Sequence, residues 1–265
     1  MDLNPYLEAA KKAALLGGSV LREHFGKIKR EDVGQKALND FVTYVDRLSE
    51  ETIKAFLTDR FPESSFLAEE SGSSGDGSLL WIIDPLDGTT NYIHAFPFFS
   101  VSISLMKSGT VLAGVIYDPL RDDLFTAVKG GGAFKNDRRI QVNPSRRLEE
   151  IMLATGFPFR AREKIGPYLD AFRDLFLKTL GIRRAGSAAL DLAYVAAGTF
   201  GGFFEIGLSK WDIAAGCLLV KEAGGIITDF QGGDDYLDTG NVVAANPHIH
   251  AEILEAVRHY FPTLR

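Results

Sequence analysis

Residues 99–105 read Phe-Ser-Val-Ser-Ile-Ser-Leu, an unbroken alternation of apolar and small polar side chains. A period of two marks a β-strand, because successive side chains of extended backbone point to opposite faces. Lys107-Ser108-Gly109-Thr110 then supplies turn residues, and 111–117 reads as the next strand. Asp118-Pro119 turns the chain again before a third strand at 123–128, and a glycine-rich turn follows at 130–132. Strands separated by connections this short pair as an antiparallel meander. The longest uncharged run, 88–106, overlaps the meander, and its Thr, Asn, Pro and alternating Ser make it a poor membrane span.

Helical signals flank this sheet. Asn4-Pro5 joins a capping residue to a proline at the first helical position, and Leu7, Ala10, Ala14 and Leu21 then recur at helical spacing. Residues 46–61 predict a second helix with Leu48, Thr52 and Phe56 on one face, and 79–84 is an apolar run expected to be a buried strand. Further on, strands at 151–154 and 202–206 alternate with helices at 168–180, 187–197 and 211–223. Asn246-Pro247 opens a final helix with Ile249, Ile253, Val257 and Tyr260 turned inward. Helices mixed with antiparallel sheet make the chain α+β, built in layers. Its 265 residues suit one large domain, 1–265, or two subdomains sharing a core with a soft boundary near 143–150.

Composition removes several functional classes. Hydrophobic content of 46% with 24% charged residues argues against disorder. A net charge of −6 and a pI of about 5.4 disfavour a direct nucleic-acid partner, whose footprint is a basic face. Cys217 is the sole cysteine, so no intrachain disulfide forms, which fits a reducing cytoplasm. The N-terminus interleaves Asp2, Glu8, Lys11 and Lys12 with apolar residues and carries no signal-peptide pattern.

The string WIIDPLDGTTN at 81–91 carries the sharpest chemistry. An apolar strand ends in Asp84, proline forces a turn, and Asp87 follows three residues on, so two carboxylates can converge on a hard cation such as Mg²⁺. Gly88 admits close backbone approach, and the amides of Gly88, Thr89 and Thr90 open a short helix whose N-terminus suits a phosphate. The plainer alternative is a turn with its aspartates as caps. An EF-hand fails, because its third and twelfth positions would be Leu86 and Ala95. A haloacid-dehalogenase site needs Asp-x-Asp, and here the spacing is Asp-x-x-Asp. A cysteine phosphatase needs Cys-x5-Arg, but Ala223 stands six residues after Cys217, which reads instead as a small buried hydrophobe. There is no Walker A pattern. Three further acidic pieces are individually weak. Glu69 lies in AEESG at 68–72, which alone reads as a surface turn; Asp212 completes a capping-box pattern with Ser209; Asp46 is a candidate cap of the second helix.

Together these pieces resemble the inositol monophosphatase family. The matching strings are AEESG at 68–72, WIIDPLDGTTN at 81–91, GSAALDLAYVAAG at 186–198 and WDIAAGCLLVKEAGG at 211–225, in the family's order and spanning roughly 36–245. FRAREK at 159–164 is especially similar to the bacterial branch. The resemblance implies an αβαβα layered sandwich with largely antiparallel sheets, a homodimer, Mg²⁺ dependence and inhibition by lithium. It implies that Glu69, Asp84 and the Leu86 carbonyl hold one ion, and that Asp84, Asp87 and Asp212 hold a second, with Glu69 also facing a weaker third. Thr89, paired with Asp46, would orient and help deprotonate the attacking water, and Gly88 and Thr89 would contact phosphate. Gly186, Ser187, Ala188 and Glu205 would face sugar hydroxyls, with Arg183 and Lys36 as lesser candidates near the site. Four carboxylates balance two Mg²⁺ and repel one another without them.

The expected reaction is hydrolysis of myo-inositol monophosphate, with fructose 1,6-bisphosphate or a nucleotide 3′-phosphate as rival substrates of the same metal site. A regulatory role is the alternative of another class. Bacterial members of the family are also associated with transcription antitermination, and Arg138-Arg139, Arg146-Arg147, Arg160, Arg162 and Lys164 are candidates for a basic face toward the transcription machinery. Residues 26–39 are a candidate mobile loop over the site.

Overall fold

The alternating segment becomes the middle of an eight-stranded sheet in the computed structural model, which describes residues 1–37, 40–158 and 161–264. The chain opens with α1 (Asn4–His24), a hairpin of β1 (Val33–Ala37) and β2 (Asp40–Thr43), and α2 (Tyr44–Arg60). Next come β3 (Ser65–Ala68), β4 (Gly72–Ser74), β5 (Leu79–Asp87) and the short α3 (Thr89–Ile93). The meander is β6 (Ser100–Lys107), β7 (Thr110–Asp118) and β8 (Asp123–Val128), extended by β9 (Gly132–Lys135) and β10 (Arg138–Arg139). The second half runs β11 (Met152–Thr155), α4 (Ile165–Lys178), β12 (Gly181–Arg183), α5 (Ala188–Ala196) and β13 (Gly202–Glu205). It ends with α6 (Lys210–Glu222), β14 (Ile226–Thr228), α7 (Tyr236–Thr239), β15 (Val242–Ala245) and α8 (His250–Tyr260).

The larger sheet has the order β10-β9-β8-β7-β6-β5-β3-β4 and is antiparallel except where β3 runs parallel to β5. The smaller has the order β12-β11-β13-β15-β14 and is mixed, with β11 parallel to both β12 and β13. Helices α1 and α2 cover one face of the larger sheet. Helices α5 and α6 fill the space between the sheets, and α4 and α8 close the far face of the smaller one. The result is the αβαβα order expected, α+β with one sheet less antiparallel than the sequence suggests. The sheets divide between β10 and β11, the interval that contains 143–150.

Layering explains why β6 alternates and yet is buried on both sides. Val101, Ile103 and Leu105 pack into the core under α1 and α2. Ser100, Ser102 and Ser104 are equally buried but face the α5–α6 layer, where Ser102 donates to the Trp211 carbonyl at 3.2 Å. Small residues let that layer sit close. Across the ladder from Ser104, Gly114 is so near α6 that an added Cβ would lie 3.0 Å from Ala215 Cα.

Three local expectations need correction. Asn4 is the first helical residue of α1 and not its cap; Leu3 precedes it without a side-chain bond, and Asn4 N donates to Asp2 at 3.0 Å. Helix α2 begins at Tyr44, because Thr43 caps it: the Thr43 hydroxyl accepts from Val45 N at 3.1 Å and Asp46 Oδ2 from Thr43 N at 2.8 Å. Its buried ridge is Val45, Ser49, Ile53 and Leu57, while Leu48 is 39% exposed and Thr52 and Phe56 are half-buried. Ser49 disguised that ridge; it is buried because its hydroxyl donates to the Pro85 carbonyl at 3.1 Å. In α8, Ile249, Ile253 and Val257 turn inward as expected, but Tyr260 is half-buried. Of the candidate loop 26–39, Val33–Ala37 forms β1, which pairs with β2, and 38–39 lie outside the described residues. Lys36 belongs to β1, and its side chain lies outside the described set, as does Arg160. No described helix is long and apolar enough to cross a membrane.

Candidate metal and phosphate site

Strand β5 delivers the first two carboxylates through an irregularity in its ladder. Asp84 lies opposite Ser102 of β6, but Asp87 lies opposite Ser100, so three steps on β5 match two on β6. In regular extended backbone, residues three apart point to opposite faces. The bulged residue turns both aspartates to the face shared by Ser100 and Ser102, toward α5 and α6. Pro85 sits in the bulge, where no ladder N–H is required. Leu86 N donates to Asp84 Oδ1 at 3.0 Å, which fixes the turn. Gly88 follows with φ of 97° and stands so close to the Phe98 and Gly186 carbonyls that a side chain is excluded. It starts α3, whose first amides belong to Thr89 and Thr90.

Other elements bring the remaining groups. Asp212, at the third position of α6, accepts from Ser209 N at 2.7 Å in a capping box. Cap and cleft residue are therefore one role. Asp87 lies at the start of α5, where the Ser187 hydroxyl donates to it and Ala189 N donates at 2.8 Å. Glu69 follows β3, anchored through its N–H to the Ile83 carbonyl at 3.1 Å. The turn after it is held by buried Glu50, whose carboxylate accepts from Glu70 N and Ser71 N at 2.8 and 2.9 Å. The Thr89 hydroxyl lies 3.1 Å from both Asp46 Oδ1 and the Leu86 carbonyl. Asn91 ties the neighbouring segment down, donating to the Phe98 and Ala185 carbonyls at 2.7 and 2.9 Å.

Eleven of the sequence-predicted residues line one cleft of about 370 Å³: Glu69, Asp84, Leu86, Asp87, Gly88, Thr89, Gly186, Ser187, Ala188, Glu205 and Asp212. Asp46 stands behind Thr89. Arg183 is the exception, since it ends β12 with its side chain exposed and outside the cleft, and Arg184 lines the wall instead. In a three-residue edge strand, one position decides which side an arginine takes, and the sequence offers no marker of that register. Thr90, whose amide the sequence already pointed to, is also in the wall, and Thr155, Gly156, Asp191 and Leu208 are there and were missed. Asp191 had a signal, because it falls one helical turn after Ser187.

The electrostatics are those of an acidic trap. Oxygens of Asp84, Asp87 and Asp212 lie within 4.8 Å of one another, and all three residues are buried. Burial pushes the Asp84 carboxyl well above its ordinary range, and Glu69, Asp87 and Asp212 add to that. Asp87 is pushed up to about 7, by burial first and Asp212 second, against the opposing bonds from Ser187 and Ala189. Burial likewise raises Asp46 to about 6. Buried like charges this close persist where a cation compensates them, and an all-oxygen donor set suits a hard divalent ion. Cys217 is buried in α6 with its thiol pushed up to about 12 and takes no part.

A family model for the inositol monophosphatase family matches residues 2–261. The chain belongs to the inositol monophosphatase family. Its members are metal-dependent phosphatases, and the acidic cluster described above is a site able to hold the metal. An inositol-1-monophosphatase of Mesorhizobium japonicum is 46% identical over 258 residues, covering 97% of this chain and 96% of that one. A protein named Nus factor SuhB from Escherichia coli K12 is 45% identical over 258 residues and 97% of each chain. Among solved structures, the extragenic suppressor protein SuhB of Bartonella henselae superposes with a TM-score of 0.93 at 44% identity, covering 96% of this chain and 98% of that one. Inositol monophosphatase family membership thus joins a phosphatase fold to relatives whose names point in two directions, toward catalysis and toward transcription.

Proposed function

We propose that the protein hydrolyses a polyol monophosphate, myo-inositol monophosphate, to the free alcohol and inorganic phosphate with Mg²⁺ as cofactor. The observation that carries this is the convergence of Asp84, Asp87 and Asp212 beside the Thr89–Asp46 pair at one end of a cleft whose other walls include Glu205. Glu69, Asp84 and the Leu86 carbonyl would hold one cation, and Asp84, Asp87 and Asp212 a second. When bound, Mg²⁺ supplies Lewis-acid stabilisation of phosphoryl and leaving oxygens and acidifies water. The chain's own groups do the positioning. The amides at the start of α3 face phosphate oxygens. Thr89 commits its proton to Asp46, so its oxygen accepts from an incoming water and aims it. Asp46, raised to about 6, is poised to take up that proton near neutral pH. Glu205 and Ser187 face the alcohol, with Gly186 and Ala188 forming the wall around it.

Phosphate release from myo-inositol 1-phosphate tests the reading. Turnover that requires Mg²⁺, stops with EDTA and falls with lithium is expected. Turnover confined to fructose 1,6-bisphosphate or a nucleotide 3′-phosphate would keep the metal site and replace the substrate, and no metal-dependent turnover of any ester would overturn the enzyme assignment.

A second reading is favoured by the relative named Nus factor SuhB. The exposed pairs Arg138-Arg139 and Arg146-Arg147 offer a surface for a transcription-machinery protein, and this role is compatible with catalysis. Retention of antitermination factors on the immobilised protein, lost on reversing those charges, is its test. A homodimer in the cytoplasm completes the proposal. The exposed apolar side chains Leu169, Phe176 and Leu177 of α4 are suited to a second copy, and sedimentation at twice the chain mass is expected.

A further inference from the structure

The cleft wall contains a buried polar group to which the phosphate chemistry gives no task and which has an atom without a bond partner among the described residues. Helix α5 turns Ser187 and Ala188 to the cleft, and Asp191 follows three and four residues later on the same face, one turn deeper. It lines the cleft and is 1% exposed. Its Oδ1 atom has no hydrogen-bond partner among the described residues. A buried polar atom left unpaired is costly, and such an atom on a cleft wall calls for a ligand group.

Neighbouring polar side chains are already engaged. Thr155 donates to the Phe204 carbonyl and shares a 2.6 Å bond with the Tyr168 hydroxyl. Ser187 is bonded to Asp87. Gly156 brings no side chain, and a Cβ there would overlap the Glu205 carboxylate, so Glu205 lies across bare backbone. Asp191 Oδ1 is therefore a buried, unpaired acceptor in a wall that also carries Glu205 and Arg184.

We propose that Asp191 is a specificity-determining residue whose Oδ1 hydrogen-bonds a hydroxyl of the leaving alcohol, selecting polyol monophosphates over phosphate esters of apolar alcohols. The inference rests on the phosphatase reading above. A hydroxyl both donates and accepts, so it matches a carboxyl in either protonation state. A site built to bond a hydroxyl discriminates strongly against an analogue that lacks it.

The test compares myo-inositol 1-phosphate with cyclohexyl phosphate, the same ring without hydroxyls, for the full chain with Mg²⁺. Asp191→Leu and Asp191→Ala are expected to lower kcat/KM for the inositol ester at least tenfold, chiefly through KM, and to change cyclohexyl phosphate less than threefold. Asp191→Asn, which keeps a polar atom in place, is expected to stay within threefold of the parent on both. Turnover of cyclohexyl phosphate also shows that each variant is folded with its metal cluster intact. Equal losses on both esters would make Asp191 a structural residue and overturn the proposal, as would unchanged selectivity, the result expected if water serves Oδ1. Should the parent protein turn over neither ester with Mg²⁺, the phosphatase reading itself fails, an outcome distinct from a change in ratio.

Discussion

Asp84 is the residue on which the site turns, since it is fully buried and the charges of Glu69, Asp87 and Asp212 all act on its carboxyl. Asp84→Asn is expected to lower turnover by more than the roughly 10–100-fold that loss of an outer partner costs. The same change removes a buried like charge, so the metal-free variant is expected to melt above the metal-free parent and to gain less from Mg²⁺; a lower melting temperature without metal would contradict the repulsion. Asp46 gives a pH prediction of definite sign. Its folded pKa of about 6 lies above the ordinary 3.8, so the folded state holds the proton more tightly than the unfolded one. Its share of stability is present at acid pH and is lost as pH rises through about 6, a difference on the order of 3 kcal/mol. Asp87, raised to about 7, acts in the same sense. Melting of the metal-free protein is therefore expected to be higher near pH 5 than near pH 7.5, and Mg²⁺ should shrink that difference by stabilising the charged forms.

Helix α2 shows what separates a pattern from its packing. Two neighbouring ridges run along it, and the one expected from the sequence, Leu48-Thr52-Phe56, is only partly buried. Ile53→Ala is expected to cost about 2–5 kcal/mol, and Leu48→Ala less than about 0.5 kcal/mol, by urea unfolding. The reverse order would restore the sequence-based assignment. Thr43→Ala removes the cap at a cost of about 1 kcal/mol and also frees Asp46, so both stability and turnover should fall. Strands, helices and most of the cleft were legible because each rests on local chemistry, such as the alternation of β6, the proline and glycine around β5 and the capping box of α6. What stayed hidden depends on partners distant in sequence. Ser49 is buried for a carbonyl 36 residues away. Arg184 replaces Arg183 by the register of a three-residue strand. Asp191 had only its helical spacing from Ser187 as a signal, and its burial becomes plain once β13 and α5 share a wall. The two readings of Asp212, cap and site residue, were never in competition.

For the whole molecule, the α5–α6 layer is the joint. The largest core cluster takes Ile116 and Phe125 from the larger sheet and Ala154, Phe203 and Ala244 from the smaller, with both helices between them. The acidic cluster draws Asp87 from one sheet and Asp212 from the start of α6, so neither half completes it. A single calorimetric unfolding transition is expected, with its midpoint raised by Mg²⁺. Two separable transitions would mean that the halves fold independently and that the interval near 143–150 is a true domain boundary.

The bulge between Asp84 and Asp87 makes metal binding a matter of parity. Removing either Leu86 or Pro85 would leave both aspartates, their strand and their neighbours nominally in place. It would also let β5 run straight, with the pair two apart on a regular ladder and no kinked carbonyl at Leu86 to meet Thr89. Inserting one residue would likewise let the strand run regular, with the pair four apart on one face but roughly 13 Å apart along the strand, too far to share an ion. A chain altered this way keeps its amino-acid inventory almost whole and loses its geometry, so a length change of one in this turn should do as much harm as losing an aspartate.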